Sequence, residues 1–176
     1  MEEQPPPLRS GTLYLVATPI GNLEDITLRA IRTLRECDVV AAEDTRHSGQ
    51  LLKHLGISKP MLSYFQFNEA KRSEQILERL RAGGKIALIT DAGSPGISDP
   101  GERVVKAALA AGFRVEAVPG PSALIAALTA SGFGTGNGCP DSQIDSVLRR
   151  KAPVSPAASP VGLGDTNRPD ASRRNA

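Results

Sequence analysis

Four short stretches of this 176-residue chain carry residue types that could do chemistry: Pro19-Ile20-Gly21-Asn22, Glu43-Asp44-Thr45-Arg46, Asp91-Ala92-Gly93-Ser94-Pro95 and Pro119-Gly120-Pro121-Ser122. Asp91 can accept a hydrogen bond from a ligand hydroxyl or amine. Gly93, Gly96 and Gly120 have no Cβ, so backbone at these positions can approach a ligand closely. Glu43, Asp44 and Arg46 place two carboxylates and a guanidinium side by side. Each stretch also has an ordinary reading. Gly and Pro at strand ends are common turn chemistry, and an isolated acidic and basic group is more often a surface ion pair. His47 and His54 lie seven apart on one helical face, and His54 reads as solvent-exposed. No His, Cys and carboxylate set has metal-ligand spacing, so no metal is expected.

The elements that must position these stretches follow from hydrophobic pattern. Leu13 to Thr18 is an unalternated apolar run, as expected of a strand buried on both faces. Asp25 is the expected cap of a helix over 26–37, with Leu28, Ile31, Leu34 and Arg35 setting its period. A second strand, Val39 to Ala42, leads through residues 43–47 to a helix with Leu51, Leu52 and Leu55 on one side. Met61 to Phe65 reads as a third strand, followed by a helix over 69–82 capped by Asn68 and ended by Gly83-Gly84. Ile86 to Thr90 is the fourth strand. Asp99, Pro100 and Glu102 form a helix-start signature for a helix that should bury Val104, Val105, Ala108 and Leu109. Val115 to Val118 is the fifth strand, and an apolar helix runs to about Ser131. Five strands alternating with helices specify an α/β domain, with a mainly parallel five-stranded sheet flanked by helices and right-handed crossovers.

In such a sheet all strand exits share one edge, where open α/β sheets bind ligands. The four marked stretches fall at the exits of strands one, two, four and five, whereas the loops entering strands are plain. Ordinary turn chemistry explains that concentration poorly. The ligand is narrowed by two absences. Strand one is followed by Pro-Ile-Gly-Asn instead of a dinucleotide-binding glycine fingerprint, and Gly83-Gly84-Lys85 precedes a strand instead of opening a helix as a P-loop does. An adenosine derivative without phosphate, such as S-adenosylmethionine, is compatible with both.

Composition changes near Gly134. Residues 134–176 contain no aromatic residue and recurrent proline, too little apolar surface to offset chain entropy, and are expected to be disordered. Residues 1–11 read as a flexible lead-in and 12–133 as the folded domain. Residues 1–133 hold fifteen Lys/Arg and fifteen Asp/Glu, so the overall +2 comes from the tail. A neutral domain has no general grip on a phosphate backbone and should bind RNA weakly by itself. Cys37 and Cys139 read as unpaired thiols of a reducing compartment. With no membrane-length apolar run and an acidic, Pro-rich start, the chain is expected to be cytoplasmic and to have no membrane partner.

The stretches 17–27, 42–46, 91–101 and 119–123 together resemble the ribosomal RNA small subunit methyltransferase I family, of the tetrapyrrole-methylase-type superfamily. They occur in the family's order and cover about residues 12–133. The resemblance implies a tetrapyrrole-methylase-like amino-terminal domain and transfer of a methyl group from S-adenosylmethionine to a cytidine 2′-oxygen of 16S rRNA in the small ribosomal subunit. It leaves room for a homodimer in the full-length family. Carried over by position, Pro19 and Gly21 would border a cofactor cleft between two α/β domains. Asp91, Ala92, Gly93, Ser94, Pro95 and Ile97 would line the cofactor, as would Pro121, Ser122 and Ala123. Glu43, Asp44 and Arg46 would face the substrate.

In-line attack by an oxygen on a sulfonium methyl group needs alignment and help in removing a weakly acidic proton. Asp44 or Glu43 is the candidate base, and Arg46 is an alternative holder of an RNA phosphate. After Phe133 the resemblance stops where a second domain would follow. The chain as given therefore reads as truncated or out of frame beyond that point, with little or no activity expected. Two other readings stay open: a tetrapyrrole C-methylase of the same superfamily, and a non-catalytic binding fragment.

Overall fold

In the computed structural model, which describes residues 5–65, 68–91, 93–95 and 101–132, the three central strands are the apolar runs of the sequence. They are β1 (Thr12–Val16), β2 (Val39–Ala42) and β4 (Lys85–Ile89); the edge strands are β3 (Met61–Ser63) and β5 (Arg114–Val118). All pairings are parallel and the order is β3-β2-β4-β1-β5. The helices are α1 (Leu28–Glu36), α2 (Thr45–His54), α3 (Glu69–Arg81), α4 (Gly101–Ala110) and α5 (Ala123–Ala130). The five-stranded α/β sheet expected from the pattern is therefore present.

Two apolar layers cover the sheet, and alternation along each strand divides its side chains between them. Leu13, Val39, Ala41, Ile86 and Leu88 pack with Ile76, Leu77 and Leu80 of α3 and with Val104 and Ala108 of α4. Tyr14, Val16, Val40, Ala42, Ala87 and Ile89 pack with Ala30 and Leu34 of α1 and Leu52 of α2. Because both faces are covered, β1, β2 and β4 read as unbroken apolar runs. β5, on the edge, alternates instead and carries Arg114 and Glu116.

Several local expectations are corrected. Asp25 does not cap α1. It ends a 3-10 turn, Leu23–Asp25, whose own cap is Asn22. Thr27 caps the helix, its Oγ1 accepting from the Ala30 N–H at 3.1 Å. The turn consumes the residues that would have let the helix begin earlier, and Leu28 is left 86% exposed. Asn68 stands at the start of α3 without capping it. Its Oδ1 accepts from the Phe65 N–H and its Nδ2 donates to the Ser63 carbonyl, closing the loop back onto β3. Leu109 is exposed where burial was expected. The buried face of α4 is Gly101, Val104 and Ala108, and at about 100° per residue Leu109 lies about 100° round the helix from Ala108 and about 140° from Val104. Glu102 pairs with Lys106 on the next turn. The expected cap residues Asp99 and Pro100, and the segment 134–176, lie outside the described residues.

Candidate functional site

β1 and β4 are neighbours, yet the chain leaving them goes to opposite faces of the sheet: β1 leads to α1 in one layer and β4 to α4 in the other. That divergence makes a topological switch point at the β1 and β4 exits, the place where open α/β sheets form a ligand crevice.

Hydrogen bonds hold the exits together. Thr18, nearly fully buried, donates from Oγ1 to the Thr90 carbonyl at 2.6 Å and from its N–H to the Gly93 carbonyl at 3.0 Å. Ser94 Oγ donates to the Pro121 carbonyl at 3.1 Å, and the Ala17 N–H donates to the Val118 carbonyl at 3.3 Å. Gly93 has φ of 94°, and a Cβ there would fall 2.7 Å from Ile20 Cγ2 and 2.9 Å from the Pro121 oxygen. A Cβ at Gly120 would fall 2.9 Å from that of Ala17. These two glycines are thus required by loop-on-loop packing at the rim, whatever a ligand adds. The stretches around residues 17–20, 90–95 and 118–121 meet at one edge.

The second stretch reaches this edge through α2. Asp44 caps the helix, its Oδ1 accepting from the Arg46 N–H at 2.8 Å. The same carboxylate accepts from Arg46 Nε at 3.3 Å and Nη2 at 3.1 Å. This pairing holds the Asp44 carboxyl below its ordinary range, with the Arg46 hydrogen bond the chief cause. Asp91 behaves in the opposite way. Desolvation is the largest influence on its carboxyl and raises it, with the Asp44 charge adding to the effect. The charge of His47 and a hydrogen bond from Ser48 act against this without cancelling it. The residue as a whole is exposed.

Between these groups is a cavity of about 30 Å³ lined by Thr18, Pro19, Leu23, His47, Ser48, Leu51 and Thr90. It has room for about one water, so a larger ligand would lie over the rim. There Ile20 and Leu23 offer apolar surface, 37% and 45% exposed. Pro19 lines the cavity, Gly21 is exposed, Pro95 is buried, Pro121 and Ser122 are half-buried, and Glu43 and Ala123 are exposed. Ala92, Gly96 and Ile97 lie outside the described residues.

Thr18, Thr90 and Ser48 were not singled out from sequence. Their role depends on β2 and β1 flanking β4, an order that periodicity does not carry. The one available signal was a Thr at the end of each of two apolar runs. Among the described residues no group of His, Cys, Asp and Glu could hold a metal ion.

The chain is similar to known proteins over most of this domain. A model of the tetrapyrrole (corrin/porphyrin) methylases matches residues 12–159, running past the composition change at 134. The ribosomal RNA small subunit methyltransferase I of Synechocystis sp. is 54% identical over 125 residues, 71% of this chain and 45% of that protein. That of Haemophilus influenzae is 52% identical over 130 residues, 74% of this chain and 46% of that protein. The chain thus spans about half the length of the curated relatives it matches. Among solved structures, the uroporphyrin-III-C-methyltransferase of Thermus thermophilus matches with a TM-score of 0.55 and 27% identity, over 70% of this chain and 53% of that one. A cobalt precorrin-4 methyltransferase matches in fold at a TM-score of 0.55 and 24% identity, over 74% of this chain and 54% of that one. With strand exits converging at a switch point and the family pattern spanning residues 12–159, the chain belongs to the tetrapyrrole (corrin/porphyrin) methylase family.

Proposed function

We propose that this chain is the cofactor-binding part of an S-adenosylmethionine-dependent methyltransferase that acts on the ribose 2′-hydroxyl of a cytidine in 16S rRNA, within the small ribosomal subunit in the cytoplasm. The observation that carries this reading is the level of identity. It is above 50% to proteins named ribosomal RNA small subunit methyltransferase I, against 27% to a tetrapyrrole enzyme. Residues 12–133 form the domain in this reading.

The rim suits a phosphate-free adenosine derivative. Ile20 and Leu23 offer an apolar face for a base, and the partly desolvated Asp91 carboxylate is an acceptor for hydroxyl or ammonium groups. Bound here, the cofactor would supply an electrophilic methyl group. The residues of this chain hold it and orient the nucleophile, which is mainly a positioning effect. Asp44 and Glu43 are the carboxylates that the sequence offers for removing the hydroxyl proton. Asp44, held ionised by Arg46, is a poor acceptor, and with its charge paired Arg46 is also a weaker phosphate ligand. Asp91, whose proton affinity is raised, is the better base if the hydroxyl reaches it.

Binding is the direct test. Titration calorimetry of the chain with S-adenosylmethionine should give heat that Asp91→Asn strongly reduces. Absence of binding by the folded chain overturns the reading. In methylation assays that include the relatives' full-length context, a product in 16S rRNA resistant to alkaline cleavage at one cytidine supports it. A methylated porphyrinoid, with no RNA product, supports the tetrapyrrole C-methylase instead.

A further inference from the structure

Away from the strand exits, four arginines converge on one cavity. The cavity has a volume of about 320 Å³ and lies between the amino-terminal segment, α1 and the edge strand β5. Its lining includes Arg9, Arg29, Arg32 and Arg114, with Glu116 as the single carboxylate. In a domain whose charges otherwise balance, this is a local excess of positive charge inside a concavity, where low-dielectric walls focus the field.

The cavity is built by specific contacts. Tyr14, 2% exposed, accepts at its hydroxyl from the Arg9 N–H at 2.7 Å. Arg32 Nη1 donates to the Pro6 carbonyl at 2.7 Å, and the Leu8 N–H donates to Glu36 Oε2 at 3.3 Å. The segment bearing Arg9 is thereby pinned onto β1 and α1. Glu116 takes Arg29 on one oxygen and Arg114 on the other, which orients two guanidinium groups with a single negative charge. Arg32 also lies 3.7 Å from Glu36, whereas Arg9 makes no ion pair among the described residues.

We propose that this pocket binds a backbone phosphate of an RNA strand, holding the strand on the side of the domain where β1 and β5 begin. Guanidinium forks match phosphate oxygens bidentately. The lining offers no open aromatic face, since Tyr14 is buried with its hydroxyl engaged, so bases have nothing to stack on. The pocket therefore reads the backbone and not the sequence. Arg114 opens β5 in register with Thr12, the first residue of β1, and Arg9 precedes β1, so the pocket lies toward the strand-entry end, four residues or about 13 Å at strand rise from the end of β5. The inference rests on RNA being the substrate, as proposed above.

The test is fluorescence anisotropy of the whole chain with a labelled single-stranded 16S rRNA fragment and with a scrambled RNA of equal length. Arg9→Gln/Arg32→Gln should bind both RNAs at least tenfold more weakly. The slope of log affinity against log salt should be shallower by about 0.7 to 1.4. Arg9→Gln alone should weaken binding at least threefold, and because Arg9 makes no ion pair among the described residues the change breaks none of the contacts that build the pocket. Inorganic pyrophosphate should compete with the RNA. Unchanged RNA affinity in Arg9→Gln, or pyrophosphate that binds without displacing RNA, overturns the proposal. Cofactor calorimetry on the same samples separates the two readings. Arginine-dependent RNA binding without cofactor binding leaves the pocket and removes the methyltransferase assignment. Cofactor binding with arginine-independent RNA binding does the reverse.

Discussion

The hydroxyl of Thr18 donates to the carbonyl of Thr90 at 2.6 Å, across the seam between β1 and β4. Both residues are almost fully buried, and both stand just beyond the last paired residue of their strands. The bond ties together the two loops whose chains then diverge to opposite faces of the sheet. A switch-point crevice needs such a tie, because divergence alone would let the loops drift apart.

Thr18→Val keeps the shape of the side chain and removes its donor. Loss of a buried hydrogen bond of this kind costs about 1–2 kcal/mol. Urea unfolding should show that loss without a change in slope, and calorimetry should show several-fold weaker cofactor binding. A variant as stable as the wild type would mean that the contact contributes nothing net.

Gly93→Ala is the more damaging change. A non-glycine residue at φ of 94° costs about 1–3 kcal/mol, and the added methyl would meet the Pro121 oxygen at 2.9 Å. Since that oxygen is backbone, relief requires one of the two loops to move. We expect at least 2 kcal/mol of destabilisation by urea unfolding, together with loss of cofactor binding. Normal binding by a stable variant would show that the loop packing does not shape the site.

Strand identity and helix order were legible because β1, β2 and β4 are buried on both faces and show it as unbroken apolar runs. The end of β3 was less so: Tyr64 and Phe65 continue the apolar run, but pairing stops at Ser63, where Asn68 folds the loop back. The cap of α1 was misplaced because Asp25 and Thr27 both have capping side chains, and only the 3-10 turn decides between them. At the site, the loops were legible through their glycines and prolines. Their partners Thr18, Thr90 and Ser48 were not, since hydrogen bonds between distant strands follow from sheet order. The arginine pocket was hidden for a related reason. Its charges come from three distant segments of the chain, and a neutral overall count conceals them.

Cys37 should be inert. Burial pushes its thiol up to about 11, with the nearby Lys59 charge only partly opposing. At pH 8 roughly one molecule in a thousand then carries the reactive thiolate. In a Cys139→Ser background, iodoacetamide should label the folded chain at least a hundredfold more slowly than the urea-unfolded chain. Equal rates would show that the α1 end of the core opens freely.

Asp91 and Asp44 should respond oppositely to pH. The folded state raises the proton affinity of Asp91, chiefly by desolvation. The native protein therefore holds that proton more tightly than the unfolded chain. Stability from this group is present below the ordinary carboxylate range and is lost as pH rises through the raised native value. Asp91→Asn should accordingly melt higher than wild type at pH 7, and the difference should vanish in acid, while cofactor binding is lost. Asp44 is the mirror case. Arg46 lowers its affinity for a proton, so its contribution is present above the ordinary carboxylate range and disappears as pH falls through the depressed native value. Asp44→Asn retains an oxygen to cap α2 and should lose only the ion-pair part, whereas Asp44→Ala loses both and should melt lower still. Thermal melts of the three variants between pH 3 and pH 7 check these signs together. If Asp91→Asn melts below wild type at pH 7, its hydrogen bond with Ser48 outweighs the desolvation, and the argument for Asp91 as a proton acceptor falls with it.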